Sequence, residues 1–180
     1  MQIGLKGPFA SWAAILIRPS QRILLVAENA GCAQEARTRL ARVGVENVAG
    51  YVLGDKQQWQ QHGLAPAGLP IHPYEYASSA PRADASPQLI DVRSRPEWLK
   101  GHLPGTISMP LLELRGQTAL LDPSRPILAY SREEYRATIA ASILLRERAG
   151  DIGILTGSAS KWQADNMPLE APRESLSNRL

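Results

Sequence analysis

The residues with the clearest chemical potential form a short polar loop, SREEYR at 131–136, between an apolar strand and an amphipathic helix. A loop that leaves the carboxyl end of a parallel strand and turns straight into a helix points its backbone N–H groups into its own concavity. The helix N-terminus adds partial positive charge there, so such a loop suits an anion. We therefore predict an anion-shaped loop made of Ser131, Arg132, Glu133, Glu134, Tyr135 and Arg136.

Ser131 stands where this layout would place a nucleophile, but a serine hydroxyl needs a dedicated base. His102 as the base and Asp91 as the group that orients it would complete a hydrolytic triad. The neighbours of Ser131 are not the glycines that a nucleophile elbow requires. We favour structural roles for His102 and Asp91 over this triad.

Composition excludes several classes of function. The net charge of +3 comes from interleaved arginines and acids, which argues against a nucleic-acid surface. The apolar runs are too short to span a membrane, and the lack of a signal pattern predicts a cytoplasmic protein. One cysteine, Cys32, and three scattered histidines show no ligand spacing, so we expect no metal and no cofactor.

An internal repeat organises the chain. Residues 16–44 resemble residues 120–148, and Trp59 matches Trp162. Each copy contains a Pro-Ser turn, an apolar strand, a polar loop, an amphipathic helix, a second strand and a tryptophan that we interpret as a packing anchor. Strand, helix and strand with short connections predict an α/β fold, a parallel sheet flanked by helices. The apolar helix positions are Ala33, Ala36, Leu40 and Val43 in the first copy and Ile139, Ala140, Ile143 and Leu144 in the second.

The two copies are unequal. We expect a partial unit at 1–66, a linker at 67–87, a more complete unit at 88–170 and a flexible tail at 171–180. The linker is rich in Pro, Ala and Ser, with at most a short strand near 71–76. The first copy lacks the opening strand and loop that precede the second, and an incomplete sheet exposes an edge that invites pairing.

The segment LIDVRSRPEWLKGHLPGTISMP at 89–110 resembles the rhodanese family, whose domains carry D-x-R, a Glu-aromatic pair, G-H-I-P-G-A and, later, a cysteine-headed loop C-x-x-G-x-R. The resemblance implies a rhodanese-like fold and transfer of sulfane sulfur through a cysteine persulfide. It also implies that His102 fixes its own loop by hydrogen bonds and that Asp91 binds Arg93 or a backbone amide. The matching residues are Asp91, Arg93, Glu97, Trp98, Gly101, His102, Pro104, Gly105, Arg136 and Trp162.

The loop departs from that family at two positions. Ser131 replaces the cysteine, and oxygen has no persulfide state through which to cycle. Glu134 replaces a glycine, where its carboxylate would repel an anion and its Cβ would add strain if the backbone needed a positive φ. Arg136 either binds an anion or pairs with Glu133 or Glu134. These changes predict the loss of sulfurtransfer, and phosphatase-like chemistry in the same loop would also need the missing cysteine.

The first copy is similar to the linking pseudo-rhodanese of bacterial fusions in which a metallo-β-lactamase-fold domain precedes two rhodanese units, some of them persulfide dioxygenases. The H-x-H-x-D-H motif of that domain is absent, so the chain resembles the C-terminal pair, either as a short product or as a piece of the longer protein. Ala27 occupies the nucleophile position of the first copy, and Cys32 lies in a predicted first helical turn.

Two functions follow from these observations. The first is a non-catalytic binding or docking module related to sulfur metabolism, whose partner is a metal-hydrolase domain or a second copy of the chain bound through the incomplete unit. The alternative is a sulfurtransferase or persulfide-handling enzyme that uses Cys32 or a partner's thiol. For Cys32 itself we favour an ordinary, partly buried cysteine, because Glu28 and Glu35 oppose a thiolate.

Overall fold

The structure is a computed structural model of the 180-residue chain. It describes residues 1–54, 56–61, 63, 68–73, 75–76, 86–147, 150–157, 162, 164 and 169–170, so the predicted tail at 171–180 lies outside the described residues. The chain divides into two compact units, Ile3–Gly68 and Leu69–Leu180 with Met1–Gln2. None of the described helices is both long and apolar enough to cross a membrane.

The first unit is a two-stranded parallel sheet with helices packed on one face. Asn29 begins helix α2 as its N-cap and accepts a hydrogen bond from the Cys32 N–H at 2.9 Å. The predicted helix positions Ala33, Ala36 and Leu40 are buried, as expected. The elements are α1 (Phe9–Leu16), β1 (Ile23–Ala27), α2 (Ala30–Ala41), β2 (Val48–Leu53) and α3 (Lys56–Gln61).

The second unit is a five-stranded sheet in the order β3-β7-β6-β4-β5, and every neighbouring pair is parallel. The α/β fold predicted from the sequence is therefore confirmed. The elements are β3 (Ile71–Pro73), β4 (Gln88–Asp91), α4 (Arg95–Leu99), β5 (Ile107–Ser108), α5 (Leu114–Gln117), a 3₁₀ turn (Thr118–Leu120), β6 (Ile127–Tyr130), α6 (Glu134–Glu147) and β7 (Ile152–Thr156).

The burial of β6 agrees with its interior place in the sheet. All four residues of β6 are buried, which is typical of a parallel strand covered on both faces. Helix α6 packs on β6 and β7 through the four apolar positions predicted for it, Ile139, Ala140, Ile143 and Leu144, and all four are buried. Within the predicted linker, residues 71–73 form strand β3 at the edge of the sheet beside β7, in the stretch where we expected at most a short strand.

The segments β1–α2–β2 and β6–α6–β7 have the same order, and their registers agree from Leu24 and Leu128 onwards, after a register shift between Ile23 and Leu24 in the first sheet. Leu24 lies beside Gly50 in the first sheet, and Leu128 lies beside Gly153 in the second. One residue further along, Leu25 lies beside Tyr51 in the first sheet. Within the described part of the first unit, no strand takes the place that β4 has beside β6 or that β3 has beside β7.

Candidate functional site

Ser131 lies at the carboxyl end of β6, and only 4% of its surface is exposed. Its Oγ donates a short hydrogen bond to the carbonyl oxygen of Glu133. The same Oγ accepts a hydrogen bond of 3.2 Å from the backbone N–H of Ala137, in the first turns of α6. The hydroxyl therefore donates one hydrogen bond within its own loop and accepts another from helix α6.

A concavity of about 240 Å³ opens beside Ser131. Its polar side chains carry two carboxylates and one guanidinium, and all three of these residues are exposed. The mixed charge differs from the electropositive lining that an anion prefers, and anion binding by this loop stays a prediction. The lining residues are Ser131, Arg132, Glu133, Glu134, Leu155 and Gly157.

Glu134 is the first residue of α6, so its backbone is helical. The strain expected from a Cβ at this position is therefore not present. A carboxylate in the first turn is stabilised by the partial positive charge of the helix N-terminus. Glu134 thus supplies negative charge at the helix end that an external anion would otherwise occupy.

Arg136 pairs with Glu97, not with Glu133 or Glu134 as considered above. Its Nη1 and Nη2 donate to the two carboxylate oxygens of Glu97, each at 2.8 Å. Glu97 also accepts hydrogen bonds from the N–H and the hydroxyl of Ser94, at 2.9 and 2.7 Å. The hydrogen bonds from Arg136 and then those from Ser94 lower the pKa of Glu97 to about 2. This pair ties the start of α6 to α4.

Asp91 and Arg93 form a buried ion pair at the end of β4. Asp91 has no exposed surface and Arg93 has 5%. The guanidinium donates to the carboxylate at 3.0, 2.9 and 2.6 Å, and the Arg93 N–H donates to Oδ1 at 3.0 Å. Burial opposes the charged guanidinium, but the hydrogen bonds to Asp91 and its charge raise the pKa of Arg93. Nη2 also donates to the carbonyl of Gly101 at 2.9 Å, which fixes the next loop.

His102 holds that loop in place. Its Nδ1 lies 3.0 Å from the carbonyl oxygen of Trp98, and its ring stacks on the indole at 3.6 Å between centroids. Its backbone exchanges two hydrogen bonds of 2.9 Å with Glu170, whose carboxylate accepts a 3.3 Å bond from the Gly105 N–H. Gly101 and Gly105 adopt φ of 135° and 73°, conformations that favour glycine.

The triad considered from the sequence is not assembled in the described part of the chain. The hydroxyl of Ser131 bonds within its loop, the ring of His102 bonds to Trp98, and the carboxylate of Asp91 bonds to Arg93. His102 and Asp91 therefore make structural contacts, as we favoured above, and the contacts of the Ser131 hydroxyl were not predicted.

Two features of the site were missed by sequence reasoning. The first is the ion pair of Glu97 with Arg136, although Ser94 and Glu97 form an S-x-x-E capping signature that marks a helix start. The second is Tyr130, which is fully buried with its ring 5.5 Å from the Arg93 guanidinium carbon. Its hydroxyl has no partner among the described residues, and burial raises its pKa to about 12.

Three of the other residues singled out from the sequence lie in the first unit, and Trp162 lies in the second. Cys32 is the third residue of α2 and is partly buried. Ala27 ends β1, so the first unit offers no nucleophile at that position. Trp162 is buried in the second core, whereas Trp59 is partly exposed and donates to the Leu53 carbonyl at 3.1 Å.

Residues 77–165 match the family profile of the rhodanese-like domain. This stretch of the chain is therefore similar to a rhodanese-like domain. The solution NMR structure of the rhodanese-like domain of the Alr3790 protein from Anabaena sp. is 23% identical, covers 63% of this chain and 87% of its own, and superposes with a TM-score of 0.51, so the two share a fold.

Two curated proteins share part of their sequence with this chain. The HTH-type transcriptional regulator Rv0324 of Mycobacterium tuberculosis is 31% identical over 83 residues, which is 46% of this chain and 37% of the regulator. The uncharacterized protein YqhL of Bacillus subtilis is 32% identical over 75 residues, 42% of this chain and 60% of its own. The chain thus spans 37% and 60% of the lengths of these relatives.

Proposed function

We propose that the rhodanese-like domain of this chain is non-catalytic and acts as a binding or docking module. The observation that carries the proposal is the position of the Ser131 hydroxyl, which donates to the Glu133 carbonyl in its own loop and accepts from the Ala137 N–H in α6. An oxygen at this place cannot be loaded with a second sulfur atom, so the persulfide cycle that the family resemblance implies has no first step.

The direction of the hydrogen bonds also opposes nucleophilic chemistry. Ser131 can donate to the Glu133 carbonyl only while it keeps its proton. A deprotonated oxygen would face the negative end of that carbonyl dipole, with one described backbone N–H, that of Ala137, bonded to it. The loop therefore favours a neutral hydroxyl, the reverse of what an activated nucleophile needs.

The charged groups around the loop point the same way. Glu133 and Glu134 line the concavity beside a single guanidinium, that of Arg132. Arg136 is held by both carboxylate oxygens of Glu97, so it would have to leave a bidentate pair before it could bind a ligand. A divalent anion such as thiosulfate would meet net negative charge.

We also propose that the chain is a tandem in which Ile3–Gly68 is an incomplete copy of the rhodanese-like unit, as in the C-terminal pair of fusions with a metallo-β-lactamase-fold domain. The equal register of the two strand–helix–strand segments supports the repeat. A role in sulfur metabolism, and a metal-hydrolase domain as the partner, follow from the resemblance to those fusions alone.

The second candidate function is sulfur transfer through Cys32 or a partner's thiol. It is favoured by the place of Cys32 in the first turn of α2, because a helix N-terminus stabilises a thiolate. Against it, Glu28 and Glu35 bring negative charge to the same helix end. The two candidates are separable where Cys32 is the thiol, because only that form of the second predicts turnover by the unmodified chain alone.

The test is the formation of thiocyanate from thiosulfate and cyanide. We expect no turnover above the protein-free rate for the wild type or for Cys32→Ser. In the Cys32→Ser background, Ser131→Cys with Glu134→Gly should gain turnover, because it restores a thiol and removes a carboxylate from the helix end. Wild-type turnover that disappears in Cys32→Ser would establish the second candidate. Turnover that persists in Cys32→Ser and is lost in Ser131→Ala would refute the non-catalytic proposal.

A further inference from the structure

The first unit has an uncovered apolar sheet face. Leu24, Val26 and Val52, which we call the open face, are 60%, 59% and 41% exposed. Their neighbours Ile23 and Leu25 point to the other side, where they pack against the helical core. Parallel sheets are normally covered on both faces, so an exposed apolar face on this one indicates a missing cover.

The second unit shows what this face looks like when it is covered. The shared register makes Leu128, Tyr130 and Leu155 the counterparts of Leu24, Val26 and Val52. All three counterparts are buried, with exposures of 3%, 0% and 2%. They form one cluster with Leu103 and Trp162.

Two of the covering residues come from one continuous stretch of chain. Leu89 belongs to β4, lies beside Leu128 in the sheet and packs against the cluster. Leu103 follows in the loop between α4 and β5 and is 1% exposed. A strand that runs parallel to β6, followed by a leucine-bearing loop, therefore closes this face in the second unit.

The first unit has the corresponding sheet face and strand edge, but its described part has no strand and leucine-bearing loop to cover them. In its described part, β1 pairs with β2 alone, so the backbone N–H and C=O groups on the other edge of β1 have no neighbouring strand. An unpaired edge beside an exposed apolar face is the geometry in which peptides bind by adding a strand.

We propose that the free edge of β1 and the open face form a docking site for a strand-forming segment of a partner polypeptide. The segment runs parallel to β1, places an apolar side chain over Leu24 and continues into a loop whose leucine covers Val26 and Val52. A second copy of this chain fits less well, because a two-fold axis that joins two β1 edges would make the strands antiparallel. This site specifies the docking role proposed above and rests on it.

The probe is a fluorescein-labelled peptide with the sequence of residues 86–105, which carries the β4 strand and the loop of Leu103. Binding to the full-length chain is measured by fluorescence anisotropy. We expect saturable binding, and we expect Leu24→Lys with Val26→Lys to weaken it about tenfold or more, because two apolar anchors are replaced by charge. Leu120→Lys is the matched control, since Leu120 is 74% exposed in the second unit.

Two further peptides distinguish strand addition from nonspecific apolar binding. A peptide with Leu89→Lys and Leu103→Lys should lose binding, and so should one that is N-methylated at Ile90 within the strand segment. Circular dichroism of the double lysine variant verifies its fold, which surface substitutions should leave intact.

Absence of binding, or binding that the two lysines leave unchanged, would overturn the site. So would a wild-type dimer in light scattering that the two lysines convert to a monomer, because the occupant would then be a second copy. The thiocyanate assay does not depend on β1, so the docking site can fail while the non-catalytic proposal stands, and the reverse also holds.

Discussion

Replacing Asp91 by asparagine tests whether the buried ion pair with Arg93 holds the second unit together. The substitution keeps the shape of the side chain but removes the charge that neutralises a guanidinium with 5% of its surface exposed. Arginine stays protonated in proteins, so the variant contains a buried cation without its counter-ion. Removing one partner of a buried pair costs about 3–5 kcal/mol.

The size of this effect is large for a domain of this kind. Whole domains are stable by about 5–15 kcal/mol, so Asp91→Asn should remove a large part of the free energy of unfolding. The melting temperature of the second unit should fall by more than about 10 °C. The hydrogen bond from Arg93 to the Gly101 carbonyl should loosen as well, which exposes the loop of His102.

The assay is urea unfolding monitored by hydrogen–deuterium exchange. Peptides from β4, β6 and α6 report on the second unit separately from the first. Asp151→Asn, at an exposed position, is the matched control and should change stability by less than about 0.5 kcal/mol. The double variant Asp91→Leu with Arg93→Met should recover most of the loss, because it leaves neither charge unpaired.

Two results would refute this reasoning. A loss below about 1 kcal/mol for Asp91→Asn would mean that the Arg93 cation reaches water without its partner. A double variant as unstable as the single one would mean that the cost comes from packing and not from the unpaired charge.

The remaining predictions concern Gly153 and Gly50, and the loss of folding stability at low pH. Gly153→Ala should lower the free energy of unfolding in urea by about 1–3 kcal/mol, because the new Cβ would lie 2.9 Å from Leu128 Cδ2. Gly50→Ala should cost nothing, because the nearest neighbour of its Cβ would lie at 3.9 Å. Equal effects of the two substitutions would refute the difference in packing. The pKa of Glu97 is lowered from 4.5 to about 2, so the stability from its pair with Arg136 is present above pH 4.5 and is lost as the pH falls towards 2. The loss of unfolding free energy caused by Glu97→Gln should therefore shrink between pH 4.5 and 2. A loss that does not change with pH would contradict this prediction.

Local patterns predicted most of the elements. The apolar spacing of Ile139, Ala140, Ile143 and Leu144 was enough to place the buried face of α6, because helical period is a property of neighbouring residues. The family resemblance implied that Asp91 binds Arg93 or a backbone amide, and Asp91 accepts from both the guanidinium and the backbone N–H of Arg93. These inferences succeed because they need no knowledge of which strands are neighbours.

Contacts across the sheet could not be predicted in this way. Arg136 lies far from Glu97 in sequence, and only the order of the strands brings α6 to α4. A short strand near 71–76 was within the expectations for the linker, but its pairing with β7 could not be predicted from the local sequence. The sequence also favoured strain at Glu134, where the helix start accommodates the side chain.

By itself, the sequence determined the chemistry of position 131, because an oxygen cannot carry a persulfide in any fold. The tertiary structure decided what the hydroxyl does instead, through the short hydrogen bond to Glu133 and the one from Ala137. It also decided that the open face of the first unit stays exposed while its counterpart is buried. The physical reason is that element identity depends on the residue type, whereas hydrogen-bond partners and burial depend on which segments the whole chain brings together.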